Sequence, residues 1–454
     1  MSKTEHIQIL TCMNIWVIIK IIAQMFYYVD DRGVIMKKIH AALIGAGSRG
    51  KDVYGEYALK HPNEIGFIAV AEPDKLKRDA FSKDHKISND MQFSSWEELL
   101  EIPNFCDAVV IATQDRMHCL PAITALEKGY HVLLEKPMSS NLVECVLMAE
   151  KSEEAKRLLV ICHVLRYTPF FSKLKAIIDS GAIGKIVSIQ HSENVGYWHQ
   201  AHSFVRGSWR NSEESSPMIL AKSCHDMDIL SWLIGRKCIK VSSFGSLKYF
   251  REANAPKGST ARCTDGCEAE SACAYSALKI YLNRNEWPTD VVSPDMSNEA
   301  VLSALKTGPY GRCVFRCDND VVDHQVVNME FEDDITAAFT MCAFTKEISR
   351  LTTVMGTGGE IRGDMENGII EVLEFVSGCR ETIQIPTSRG HSGGDEGLMK
   401  AFVGQLNANG GISPLTSAKT AMQSHLMAFA AEKSRLENRV ILIDEFEKEI
   451  LSKR

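Results

Sequence analysis

The chain is predicted to be α/β, led by a doubly wound parallel sheet of Rossmann type, on three observations. Apolar runs of strand length alternate with helical stretches through the first part of the chain. A glycine-rich turn, Gly45-Ala-Gly-Ser-Arg-Gly50, follows directly on the first such run, residues 39–44. A carboxylate, Glu72, closes a second run, Phe67-Ile-Ala-Val-Ala-Glu72.

Each element has a physical reason. Gly45 permits the tight turn, Gly47 lets backbone approach a pyrophosphate, and Gly50 lets a helix pack against the strand. Ser48 and Arg49 sit in the same turn, and the helix it opens offers N–H groups and a positive dipole end to phosphate. Glu72 lies slightly beyond the usual spacing of about 20 residues from such glycines. At a strand's carboxyl end it would accept hydrogen bonds from a ribose 2′-hydroxyl and repel a 2′-phosphate. NAD is therefore expected, with Arg78 nearby leaving NADP open. Further strands are predicted at 106–112, 131–134 and 158–162, with helices at 95–101, 118–128 and 141–156. Ligands of such sheets sit at the strands' carboxyl ends. Thr113, Gln114, His118, Glu135 and Lys136 all fall there, and with the turn residues and Glu72 they form the expected cofactor site.

The glycine turn, Thr113-Gln-Asp-Arg-Met-His118, Glu135-Lys136-Pro137 and Cys224-His225-Asp226-Met227-Asp228 follow one another as in the Gfo/Idh/MocA oxidoreductases. The chain resembles that family over roughly 37–440. The resemblance implies a C-terminal α/β domain on a large open, mainly antiparallel sheet. It also implies hydride transfer to or from a sugar, sugar derivative or cyclitol. Lys136 suits this chemistry, because an ammonium there can hydrogen-bond the reacting oxygen and stabilise developing charge. His225 is the expected general acid/base, since imidazole titrates near working pH. Asp226 or Asp228 would orient its ring or cap the following helix. The chain departs from the family where many members carry an aspartate four residues before this histidine. That position is Ala221 here, beside Lys222, so either Lys222 replaces the function or the proton relay differs.

The 454 residues suggest two domains: 36–160 for the dinucleotide and 161–454 for substrate and oligomerisation, preceded by an extension, 1–35. A net charge of −7 without a long basic run excludes a nucleic-acid footprint. Residues 13–29 are apolar but interrupted by Asn14, Lys20 and Gln24, and fall short of the ~20 residues a spanning helix needs. Residues 1–35 are therefore read as a non-native extension before Met36, and the protein as cytoplasmic with no membrane partner.

In the second domain, Arg166, Tyr167 and Pro169 resemble the family segment near the nicotinamide. Half-buried strands are predicted at 185–190, 325–331, 335–344, 351–355, 369–375 and 381–385, with helices at 396–406, capped by Asp395, and 417–438. A substrate pocket is expected around residues 196–211, where Trp209 would stack on a sugar ring and His199 and Arg210 would bind hydroxyls. His391, on the loop 390–395, could reach the same pocket. A homodimer or homotetramer is the family's usual way to cover so broad a sheet. Cys263, Cys267 and Cys273 cluster, with Cys313 and Cys317 downstream. Reduced thiols are the simpler expectation; a structural zinc stapling the insertion 251–290 is the alternative. Two other functions stay open: an NAD-using glycosidase without net redox change, and a non-catalytic dinucleotide-binding regulator.

Overall fold

The computed structural model describes residues 27–29, 35–387, 389–408 and 414–452. Six parallel strands form the N-terminal sheet, in the order Gln92–Phe93, Ile65–Ala71, Ile39–Ile44, Ala108–Ile111, His131–Leu134, Leu159–Ile161. The first long strand lies in the middle, so the chain builds outward on one side and then returns to build the other. That reversal opens a crevice at the carboxyl ends of Ile39–Ile44 and Ala108–Ile111, where open α/β sheets bind ligands. Helices on both faces leave Ala108–Ile111 fully buried, which is why its sequence is continuously apolar rather than alternating.

Sequence signals placed the helices well. Ser95 caps Trp96–Glu101 by accepting from Glu98 N–H, and Asn141 caps Leu142–Ala155 through Val143 N–H. After the glycine turn the chain runs first as a wide π-helical segment, Arg49–Gly55, and then as a short α-helix, Glu56–Lys60.

The second domain carries a nine-stranded sheet. Its order is Arg380–Gln384, Ile369–Glu374, Gly359–Asp364, Ser349–Gly356, Ile186–Asn194, Thr336–Cys342, His324–Phe331, Cys238–Ser246, Ile441–Leu442. Neighbours are antiparallel except Ile186–Asn194 beside Thr336–Cys342. In His324–Phe331, Gln325, Val327, Met329 and Phe331 face inward, and Val326 and Asn328 face out. Helices Cys224–Ile234 and Ala418–Glu437 pack over the inner face and against each other. The mixed strand Cys238–Ser246 (CIKVSSFGS) was not recognised in the sequence, because its serines and glycine blur the alternation.

Three boundaries are corrected. Helix Gly394–Asn407 starts from Gly393 in the left-handed region, φ +83°, and Asp395 is not its cap. Helix Ala418–Glu437 is followed by Ile441–Leu442 and Ile443–Leu451, so it does not close the fold. Within the expected extension, Tyr27–Val29 pairs with Ile35–Lys37 in a ribbon outside both sheets; the rest of 1–35 lies outside the described residues. Among the described residues no helix is long and apolar enough to cross a membrane.

Candidate active site

Gly45 holds φ +93°, and a side chain there would meet the Ala112 carbonyl at 2.7 Å. A Cβ on Gly50 would come within 2.1 Å of the Gly45 carbonyl oxygen, so helix and strand touch only because both positions are bare. A Cβ on Gly47 would meet nothing within 4 Å. The loop is thus closed where it must pack and open where a pyrophosphate would lie. Ser48 is exposed beside it. The Glu72 carboxylate reaches this loop, accepting from Ala46 N–H at 2.8 Å and Asp74 N–H at 3.0 Å. Each oxygen keeps lone-pair capacity for a further donor.

Lys136 follows strand His131–Leu134. Its Nζ crosses between the domains to donate to the Ala221 carbonyl at 2.7 Å. Its neighbour Glu135 points back into the glycine loop, accepting from Arg49 Nε at 2.5 Å and from the Tyr54 hydroxyl. Burial opposes ionisation of Glu135, but the Arg49 guanidinium, the Tyr54 hydroxyl and the Lys136 charge together outweigh it and hold the carboxyl below its ordinary value. Arg49 also binds Asp395 at 2.7 Å, and Asp395 accepts from His391 Nδ1 at 2.9 Å. One arginine thus ties the dinucleotide loop to the first turn of helix Gly394–Asn407.

His225 sits in the first turn of Cys224–Ile234, only 4 % exposed. Among the described residues neither ring nitrogen has a hydrogen-bond partner. The rings of His163 and His391 lie 5.8 Å from it on either side. Burial, and then the Lys136 charge, push the His225 pKa well below its ordinary value, so the imidazole is neutral and can accept a proton.

The acidic neighbours do not orient that ring. Asp226 pairs with Arg350 Nε at 2.8 Å and His191 Nε2 at 3.0 Å. Asp228 pairs with Arg166 through Nε at 2.6 Å and Nη2 at 2.7 Å. A helix points residues one and three positions on toward different neighbours, so both carboxylates face the sheet and the adjoining segment. Strand register completes this buried network, because Arg350 lies opposite Glu193 and Thr352 opposite His191. Arg350 binds Glu193 at 2.6 Å, and His191 Nδ1 lies 2.8 Å from the Thr352 hydroxyl. Lys222 binds the other oxygen of Glu193 at 3.1 Å; burial lowers its pKa against the pull of that carboxylate.

Several expected site residues have partners within the protein. Arg166, expected at the cofactor, is consumed by Asp228 and the Leu415 carbonyl. His118 is fully buried, its nitrogens 2.8 Å and 3.1 Å from the Pro137 and Thr113 carbonyls, so it braces the lysine loop. Tyr167 bonds Thr416, and burial pushes its hydroxyl up to about 12. Arg210 forms a bidentate pair with Asp318 at 2.9 Å and another pair with Glu214 through the same Nη2. Thr113 bonds the Met117 carbonyl, and Gln114 is exposed at the start of the next turn. Trp209 donates to Asp115 at 3.4 Å, and that carboxylate also accepts from Ser215 and Ser216. The segment meant for substrate therefore also docks the two domains. His199 keeps a buried, unpartnered Nδ1, and the Trp287 ring is 5.0 Å away. Sequence reasoning missed His163, Glu193 and Arg350, which carry no local motif, and gave no role to Asp115 inside the segment 113–118.

The zinc expectation is corrected. Cys263, Cys267 and Cys273 are free thiols, and among the described residues no three His, Cys, Asp or Glu side chains come together as a single ion requires.

Residues 39–163 match the model of an oxidoreductase family with an NAD-binding Rossmann fold, and 175–443 match its C-terminal alpha/beta domain. The chain is 24% identical over 323 residues to the putative oxidoreductase YteT of Bacillus subtilis, covering 66% of this chain and 72% of that one. It is 26% identical over 200 residues to the 2,7-anhydro-N-acetylneuraminate hydratase of Mediterraneibacter gnavus, covering 44% of this chain and half of that one. The structure of levoglucosan dehydrogenase with NADH and levoglucosan shares the fold at TM-score 0.66, with 18% identity over 90% of this chain and 100% of that one. With both domains matched in order, the chain belongs to the Gfo/Idh/MocA family of NAD-binding oxidoreductases.

Proposed function

We propose that the protein is an NAD-dependent dehydrogenase acting on a hydroxyl-bearing carbon of a sugar, sugar derivative or cyclitol. The observation that carries this reading is the convergence of Lys136 Nζ, reaching from the first domain, with the unpartnered imidazole of His225 in the second. Mere dinucleotide binding requires neither group. Levoglucosan dehydrogenase, named for a sugar-derived substrate, supports the choice of substrate class.

NAD bound at the glycine loop would supply the hydride acceptor. Glu72 would take the ribose hydroxyl, and the bare Gly47 would admit the pyrophosphate. Lys136 would turn its ammonium from Ala221 to the substrate oxygen and stabilise charge there as the carbon–hydrogen bond breaks. His225, neutral and without a competing donor, would receive the hydroxyl proton. His199 and Trp209 remain the proposed substrate contacts, with Lys222 at the pocket floor. Copies of the chain would associate through the outer sheet face, where Val187, Phe244, Val326 and Leu351 are exposed. The test is a screen of sugars and inositols with NAD and with NADP, followed by NADH absorbance, with Lys136→Ala as control. No reduction with any substrate would end the reading.

A second reading rests on the His391–Asp395 pair. Asp395 takes the proton of Nδ1, leaving Nε2 of His391 as a second base near His225. Two acid/base groups suit transient oxidation followed by elimination, and one relative is named a hydratase. Product release from an anhydro-sugar or glycoside without NADH accumulation would favour it.

A further inference from the structure

The insertion between Cys238–Ser246 and His324–Phe331 has an apolar core of its own, built on Phe250, Tyr281, Val301, Leu305 and Phe315 and separate from the two larger cores. Its helices are short, the longest being Asn298–Thr307. Small cores of this kind rarely hold alone and are commonly stapled by disulfides or metal. All the cysteines described here are free thiols.

Four of those thiols line one cavity: Cys263, Cys267, Cys273 and Cys313. Their backbones are set in place. Cys263 and Cys313 enter from paired chain, with Cys263 N–H donating to Gly311 and Cys313 N–H to Ala261, both at 2.9 Å. Cys267 and Cys273 flank the helical turn Glu270–Ala272, each tied to Glu270 through its backbone. Cys317 turns away and donates to the Cys313 carbonyl.

One sulfur of the cavity has donors in the wall, while burial pushes the Cys273 and Cys313 thiols up. Cys263 Sγ accepts from Ala277 N–H at 3.4 Å and from Arg206 Nη2 at 3.7 Å. Arg206 is 1 % exposed and forms no ion pair with a carboxylate among the described residues. Among the described residues its Nη1 meets no hydrogen-bond partner. A buried guanidinium without an anion is strongly unfavourable. The one carboxylate lining the cavity, Glu270, accepts from the Ser276 hydroxyl.

We propose that these four cysteines hold an iron–sulfur cluster. Thiolates on a single zinc ion lie about 2.3 Å from it and so crowd together. These four cysteines line a shared space, and among the described residues no three of them meet as one ion requires; a polynuclear core takes four cysteine ligands spread around it. The ligated cluster is anionic, so Arg206 and the Ala277 N–H supply the donors that such sulfurs take. Arg206 also belongs to the segment Gln200–Arg206, which begins beside His199. The cluster therefore staples the insertion to the wall that carries His199 and His202, outside the dinucleotide domain.

The full-length protein, purified without oxygen and reconstituted with ferrous iron and sulfide, should contain iron and acid-labile sulfide in equal amounts. It should show a broad visible absorption that bleaches with dithionite. Cys263→Ser and Cys273→Ser should each lose at least half of the iron and expose the insertion to limited proteolysis, while NAD titration is unchanged. Cys317→Ser should keep the iron. Wild-type protein without iron and sulfide after reconstitution, stoichiometric zinc without sulfide, or undiminished iron in both ligand variants would overturn the proposal.

Discussion

Lys136 Nζ donates to the carbonyl of Ala221 at 2.7 Å, a bond between two domains made by a residue that the proposed chemistry requires elsewhere. The ammonium is parked on a main-chain acceptor. A carbonyl cannot titrate, so it holds the lysine without competing for the proton.

Replacing Lys136 with Met should lower kcat by about 100- to 1,000-fold, the usual cost of losing a donor to developing negative charge. The dissociation constant for NAD should change little, because Gly45, Gly47 and Glu72 are untouched. Steady-state rates beside a fluorescence titration of NADH separate the two; a parallel loss of binding would make Lys136 a cofactor ligand only.

Acid should destabilise the protein through its buried histidines. His425 Nε2 accepts from Met138 N–H at 2.9 Å, and burial, with the charge of His163 next, pushes its pKa down to about 3. The unfolded chain binds that proton near pH 6.5. Stability is therefore full above pH 6.5 and falls as pH drops toward 3, by up to about 1.4 kcal/mol per pH unit for each such imidazole. His425→Gln should flatten the fall measured by denaturant melts between pH 7 and 4. Equal slopes for the two proteins would contradict the tautomer implied by the Met138 bond.

Glu72→Ala should narrow the gap between NAD and NADP affinities by about tenfold or more, since a hydrogen bond to a charged group is worth ~1.5–3 kcal/mol. Competitive titration measures it. Unchanged affinities would leave Glu72 the purely structural task of holding Ala46 and Asp74.

Asp228→Ala should act on stability. Breaking a buried pair by removing one partner costs about 3–5 kcal/mol, and Arg166 would keep an uncompensated charge. A large drop in unfolding free energy is expected, with near-normal kcat at low temperature in the folded fraction. Normal stability with lost activity would return Asp228 to the acid/base machinery.

Much of the first domain was legible along the chain. Its strands are buried on both faces, its helices carry Ser95 and Asn141 caps, and its cofactor turn needs glycine at fixed intervals, so each signal is local. Lys136 and His225 were legible for a similar reason, since both sit in short segments of family order. Arg166, His118 and Arg210 cannot be told from ligands along the chain, because their residue type suits a ligand and a structural partner equally well. Only the positions of Asp228, Pro137 and Asp318 show that their polar groups are already occupied.

The sequence by itself determined the order of strands and helices in the first domain, the family, the phosphate turn and the two residues proposed for chemistry. Tertiary structure alone decided their company. It set Arg350 opposite Glu193 by strand register, brought Asp395 to Arg49 from 346 residues away, and gathered four separated cysteines around one cavity. Local propensity and periodicity act over a few residues, whereas the pairing of buried charges is settled by which faces pack together. No local stretch of the chain records that choice.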